Sequence, residues 1–189
     1  MVRALIVCKQ QETAATLSSV ILSVDYFSID AVSSADEARR RAQMTDYSLV
    51  LINTPLPDEF GNDLALDMVE SGLTGVLLLV KADITEQVQN SVGNCGVFVI
   101  SKPINPVLLA QSIRFVMAHS QKIIELKEQN KKLQQKLEDT KIVDRAKCLL
   151  IQYLGMTEQQ AHRHIQKNSM DSRVPPRVIA ENILKTYEN

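Results

Sequence analysis

The 189 residues have room for one medium domain and a small one, and 45% hydrophobic with 23% charged residues is the balance of an ordinary soluble globular protein. No apolar run reaches the roughly 20 residues of a membrane span, and Cys8, Cys95 and Cys148 are too scattered for a disulfide framework or a metal pair. The net charge of −1 conceals a division, because residues 1–120 hold 8 Lys+Arg against 13 Asp+Glu whereas residues 121–189 hold 13 against 9. An acidic front and a basic back suggest two jobs, the second compatible with nucleic acid, although a balance this small is equally that of a solvated helical surface.

In chain order, the opening Met1-Val2-Arg3-Ala4-Leu5-Ile6-Val7-Cys8 is too short for a signal peptide and reads as a first strand. A cytoplasmic protein is expected, with each cysteine a small buried apolar residue in a reducing compartment. Apolar, β-rich runs recur at 4–8, 27–32, 49–52, 76–80 and 97–100. Several are continuously hydrophobic, as parallel strands covered on both faces must be. Amphipathic helical segments fall between them at 12–22, 35–43, 61–70 and 85–91, and Ser34 with Glu37 has capping-box spacing before the second. This alternation implies right-handed crossovers and an α/β, doubly wound parallel sheet whose chemistry lies beyond the carboxyl ends of the strands.

At those ends the third strand runs into Leu51-Ile52-Asn53-Thr54-Pro55-Leu56-Pro57-Asp58-Glu59-Phe60-Gly61, and the fifth ends in Ser101-Lys102-Pro103. Over residues 2–120 the chain resembles a response-regulator receiver, with the spacing of that family's phosphoacceptor strand and its Lys-Pro pair. The resemblance implies a flavodoxin-like fold for a domain spanning 1–120. The departures bear on function. Asn53 stands where the resemblance places a nucleophilic carboxylate, and Lys9-Gln10 stands where acidic residues would hold Mg²⁺ through hard oxygen ligands. Lys9 would oppose a cation by direct repulsion. Lys81 follows the fourth strand where a Thr or Ser is usual, and Val99 takes the aromatic switch position with Phe98 beside it. The expectation is a degenerate phosphoacceptor pocket of Lys9, Gln10, Asn53, Lys81 and Lys102, without metal, cofactor or catalysis, in which Lys102 hydrogen-bonds Asn53.

From Asn105 no glycine occurs until Gly155, and Pro106 suits a first helical turn. Leu108, Leu109, Ile113 and Val116 form an apolar face able to close the sheet. Beyond it, a linker helix at 121–140 carries Ile123, Leu126, Asn130, Leu133 and Leu137 at alternating three- and four-residue spacing. Taken as a, d, a, d, a, this is the seam of a parallel homodimeric coiled coil of about three heptads, with one polar a residue fixing register. The alternative is a solvent-exposed helix whose leucines pack on the protein's own domains.

Residues 141–189 read as a three-helix all-α domain. Ile142, Ala146, Leu149, Leu150 and Tyr153 line the first helix, which Gly155 stops. Thr157 and Gln160 form a capping box before a second helix with Ala161 and Ile165 inward, and Pro175-Pro176 precedes a third with Ile179, Ala180, Ile183 and Leu184 inward. Ala146-Lys147, then Ala161-x-x-x-Ile165-Gln166-Lys167-x-Ser169-Met170-Asp171-x-Arg173, then Val178-Ile179-Ala180-Glu181-x-Ile183-Leu184 carry a resemblance to the ANTAR domain, an RNA-binding module of antitermination regulators. Cys148, His162 and Asn168 depart from that pattern.

The resemblance implies recognition of paired stem-loops in a leader transcript, which keeps a terminator hairpin from forming. Cations neutralise phosphates, and Gln or Ser can read unstacked loop bases. The candidate RNA-binding surface is Arg145, Lys147, Gln166, Lys167, Ser169, Arg173 and Arg177. Control would come from a protein partner on the receiver or from abundance. The rivals are a DNA-binding transcription factor and an interaction scaffold.

Overall fold

In the computed structural model, which describes residues 2–72 and 75–187, the continuous apolar runs pair into one parallel sheet. Its strands are β1 (Val2–Cys8), β2 (Phe27–Val32), β3 (Leu49–Asn53), β4 (Gly75–Lys81) and β5 (Val97–Lys102), in the order β2-β1-β3-β4-β5. The helices between them are α1 (Gln11–Val24), α2 (Ala35–Met44), α3 (Asn62–Glu70) and α4 (Thr85–Val92). Then come α5 (Pro106–Leu154), α6 (Glu158–Ser172) and α7 (Pro176–Tyr187). Met1, Glu188 and Asn189, the outer ends of the two expected domains, lie outside the described residues, as do Leu73 and Thr74 within the first. The chain divides into two units, Met1–Glu125 and Leu126–Asn189.

Strand pleating sends alternate side chains to opposite faces. Leu5, Val7, Val50, Ile52, Leu78 and Val80 pack with Ala35, Ala38, Leu64, Met68 and Val88 of α2–α4. Ala4, Ile6, Leu49, Leu51, Leu77 and Leu79 pack with Leu17 and Ile21 of α1 and with Leu109, Ile113 and Val116 of α5. Leu108, expected on that last face, is half exposed, because it lies one residue round the helix from Leu109. Two of the three cysteines also differ from expectation. Cys8 is buried in β1, but Cys95 in a one-turn 3₁₀ segment and Cys148 on the outside of α5 are exposed, and all three thiols are free.

The loop after β3 is anchored to α2 and α3 by its own acids. The Asp58 carboxylate accepts from the backbone N–H groups of Ala35 and Asp36 (both 3.0 Å), so it caps α2 together with Ser34, which accepts from Glu37 N–H. Glu59 accepts from Arg39 at 2.8 Å and from the Leu64 N–H at 3.0 Å. Gly61 then turns the chain into α3 at φ 114°, where a Cβ would come within 3.1 Å of Ile52 and 3.3 Å of Thr54.

Those backbone donors, Asp36 N–H first and Ala35 N–H second, hold the Asp58 carboxyl below its usual range. A depressed carboxylate contributes stability that is complete above the unfolded value and lost as pH falls through the folded one. Asp58→Asn should therefore remove part of the acid sensitivity of the receiver unit. Melting curves stepped down from neutral pH to below pH ~4 check this; parallel curves for the two proteins would contradict the capping role.

Candidate functional site

The carboxyl ends of four strands meet at one pocket, since β1, β3, β4 and β5 finish on Cys8, Asn53, Lys81 and Lys102. Cys8 lies opposite Asn53 in the ladder, and Lys81 opposite Lys102. Asn53 donates its amide to Cys8 Sγ at 3.2 Å, while its Oδ1 is buried without a hydrogen-bond partner in the protein. The expected bond between Lys102 and Asn53 is absent. With no carboxylate to meet, the Lys102 ammonium donates instead to the backbone carbonyl of Thr54. Burial draws its pKa below the usual lysine range; Cys8 acts in the opposite sense and the charge of Lys81 in the same sense.

Lys9, Gln10 and Lys81 lie exposed around this pocket. Gln10 is occupied at the start of α1, where its backbone carbonyl takes the Ala14 N–H at 3.0 Å and its side chain takes the Thr13 hydroxyl at 3.2 Å. The nearby carboxylates, Asp58 and Glu59, serve α2 and α3 as described. The pocket residues thus supply three lysines and two amides, but no acid. Among the described residues no group of three or more His, Cys, Asp or Glu could hold a metal ion. With three ammonium groups and no carboxylate, the donor set does not fit the divalent cation of the receiver resemblance, which the lysines would repel. Val99 packs against the sheet core, whereas Phe98 is partly exposed and meets Phe115 of α5 at a ring separation of 5.8 Å.

The second unit is built on a small core. Ala146 and Leu150 of α5, Ala161 and Ile165 of α6 and Ala180 of α7 are fully buried, with Ile142, Val143, Met156, Ile179, Ile183 and Leu184 packed around them. Gly155 ends α5 at φ 64°, and Thr157 and Gln160 bond reciprocally as a capping box. Tyr153, expected in this core, is 55% exposed and stacks on Tyr187 at 5.2 Å.

The seven candidate RNA contacts divide by what already holds them. Lys147 is clamped by Asp144 (2.8 Å) and Glu158 (3.0 Å), and Arg177 by Glu181 and Asp139 (both 2.8 Å). Both therefore tie α5 to the helices after it. Hydrogen bonds donated to Asp144 and then Glu158 raise the Lys147 pKa; those donated to Glu181 and then Asp139 raise that of Arg177. Ser169 donates to the Val174 carbonyl, and Arg173 takes a left-handed position at φ 54° that ends α6. Arg145, Gln166 and Lys167 are exposed.

Of the seven, only Lys167 lines the cleft of about 590 Å³ in this unit, bounded by Leu154, Gly155, Met156, Gln160, Arg163, His164 and Lys167. Arg163 and His164 were not among the sequence candidates. Their signal was the spacing 160, 163, 164 and 167, a single face of α6.

The leucines of the linker helix are solvent-exposed in the single chain, with Leu126 at 52%, Leu133 at 62% and Leu137 at 64%, and Ile123 partly so. Asn130 is exposed as well. No helix of the described residues is long and apolar enough to cross a membrane.

Comparison with known proteins bears on each unit. The ANTAR domain family model matches residues 131–184. The transcriptional regulatory protein PdtaR of Mycobacterium tuberculosis is 25% identical over 170 residues, which cover 90% of this chain and 83% of PdtaR. The signal receiver domain of an HD domain-containing protein from Pseudomonas fluorescens Pf-5 superposes with a TM-score of 0.58 at 21% identity, covering 66% of this chain and 92% of that domain. The chemotaxis response regulator CheY4 of Vibrio cholerae gives 0.54 at 18% identity, over 61% and 98%.

Proposed function

We propose that this chain, which carries an ANTAR domain at residues 131–184 behind a receiver-like fold, is an RNA-binding transcription antiterminator. It binds paired stem-loops in a nascent leader transcript and so prevents the terminator hairpin. The observation that carries the reading is the ANTAR match, which runs from the linker helix through α6 into α7. Kinship with a transcriptional regulator along nine-tenths of the chain supports it. The work is recognition, with no bond made or broken, in the cytoplasm and without a cofactor. Two copies pair through Ile123, Leu126, Asn130, Leu133 and Leu137, whose three- and four-residue spacing sets them on one stripe of the helix.

Control does not pass through phosphate on the receiver. Asn53 is no nucleophile, and Lys9 and Gln10 supply no carboxylate for Mg²⁺. A protein partner docked on the receiver, where Phe98 and Phe115 are exposed, or abundance alone, sets activity. Acetyl phosphate with Mg²⁺ should label neither the native protein nor Asn53→Asp, because restoring the acceptor leaves the metal ligands missing. Labelling of the native protein would overturn phosphate independence.

The testing experiment is binding to a two-stem-loop leader RNA against a loop-scrambled control across a salt series. Tight loop-dependent binding is expected, its log affinity falling by about 0.7 per log salt for each single-strand phosphate neutralised. Equal weak binding to both RNAs would overturn the reading. Preference for duplex promoter DNA would favour a DNA-binding factor instead.

A further inference from the structure

We infer that the cleft between the end of α5 and the exposed face of α6 seats one unstacked loop nucleotide of the RNA, an inference that rests on the RNA-binding reading. In it, Arg163 and Lys167 take the phosphate, and Leu154 and Met156 bear on the base.

The chemistry of the lining selects this occupant. Arg163, His164 and Lys167 contribute nitrogen groups and no lining residue is acidic, so the cleft offers donors to an acceptor-rich ligand. Gln160 adds to this in a fixed orientation. Its Oε1 accepts the Thr157 N–H at 2.8 Å, so the amide cannot turn round, and the two Nε2 hydrogens are left to donate. Arg163 and Lys167 have no ion-pair partner among the described residues, in contrast to Lys147 and Arg177, whose charges are already met by carboxylates. Their charge remains available to a phosphate.

The floor is of another kind. Leu154 is half exposed, and Met156 is partly buried beside it at the turn made by Gly155. An inorganic anion has no use for such apolar surface. A base pulled out of its stack does, and its carbonyl and ring nitrogens accept from donors of this type. A paired RNA helix would present phosphates to the cations but no base face to the leucine and methionine.

The test uses the full-length protein, a two-stem-loop RNA and its loop-scrambled control, with three variants that leave the fold intact. Gln160→Glu keeps the capping box, since a glutamate reaches back to the Thr157 N–H equally well, but replaces the donor with a carboxylate facing phosphate. It should lower loop-RNA affinity at least about tenfold with an unchanged melting temperature. Arg163→Ala combined with Lys167→Ala should reduce the salt slope by about 0.7, the increment for the one phosphate the two cations share. Leu154→Ala should weaken loop binding about three- to tenfold with the slope unmoved, as loss of an apolar contact does. A 4-thiouridine placed in the loop should cross-link to the peptide 154–167.

If the native protein binds the loop RNA while all three variants match it, or if cross-links fall only on other peptides, the cleft assignment fails and the antiterminator reading stands. If the native protein does not discriminate loop from scrambled RNA, both fail together.

Discussion

Ile165→Ala should unfold the helical unit at residues 126–189 and abolish RNA binding while leaving the receiver sheet folded. Among the described residues of that unit five are fully buried and three of these are alanines, so Leu150 and Ile165 supply the only large fully buried side chains among them. Truncating a buried isoleucine costs about 2–5 kcal/mol, and a single core of this size rarely supplies more than about 3–5 kcal/mol. The variant therefore spends most or all of what the unit has. Circular dichroism should record a loss of helix at room temperature, and thermal melting should retain the transition of the sheet unit alone. A variant with full helix content and native loop-RNA affinity would mean that the unit draws its stability from elsewhere, with pairing between copies the first place to look.

On the pairing proposed above, replacing both Leu126 and Leu133 with lysine should leave the protein monomeric. Each leucine removed from water on pairing is worth about 1.5–3 kcal/mol, and the double variant strips four from every dimer while setting like charges across the seam. Sedimentation velocity should then show a single monomeric species over the whole accessible concentration range. Asn130→Leu should act in the opposite direction, by tightening association or changing the number of chains, because it deletes the polar a residue that specifies a two-stranded register. A native protein that sediments as a monomer at working concentration would contradict the seam itself.

What the sequence showed of all this follows from how far each force reaches along the chain. Strands covered on both faces must be continuously apolar, so the five runs stood out. Their ends were read short at Val2, Lys81 and Lys102 because the ladder pairs backbone groups beyond the last apolar side chain. Caps were legible since Ser34, Thr157 and Gln160 act within one turn of where they stand.

Charge partners were not legible, for they depend on the fold. Arg177 meets Asp139, 38 positions earlier, and Lys147 meets Glu158 across the turn at Gly155. Two candidates for contact with RNA are thereby occupied within the protein. The resting place of Lys102 depended equally on the path of the chain through Thr54. Arg163 and His164 could have been found. The same period that marks an apolar face marks a polar one, and 160, 163, 164 and 167 follow it.

The three alanines of the small core have a consequence for how such a regulator diversifies. At Ala146, Ala161 and Ala180 the side chains are fully buried between neighbouring helices, so any larger residue there must force those helices apart. These are also the positions by which the ANTAR pattern is recognised in this chain. Two residues of the cleft are bound by no such demand, since Arg163 and His164 are exposed and fall in the unspecified stretch of that pattern, whereas Lys167 is part of it. The framework of the module is therefore set by its buried alanines, and the side chains at 163 and 164 can change without disturbing it. On the RNA-binding reading proposed above, two descendants of one ancestor could share every alanine and yet differ in the loops they bind.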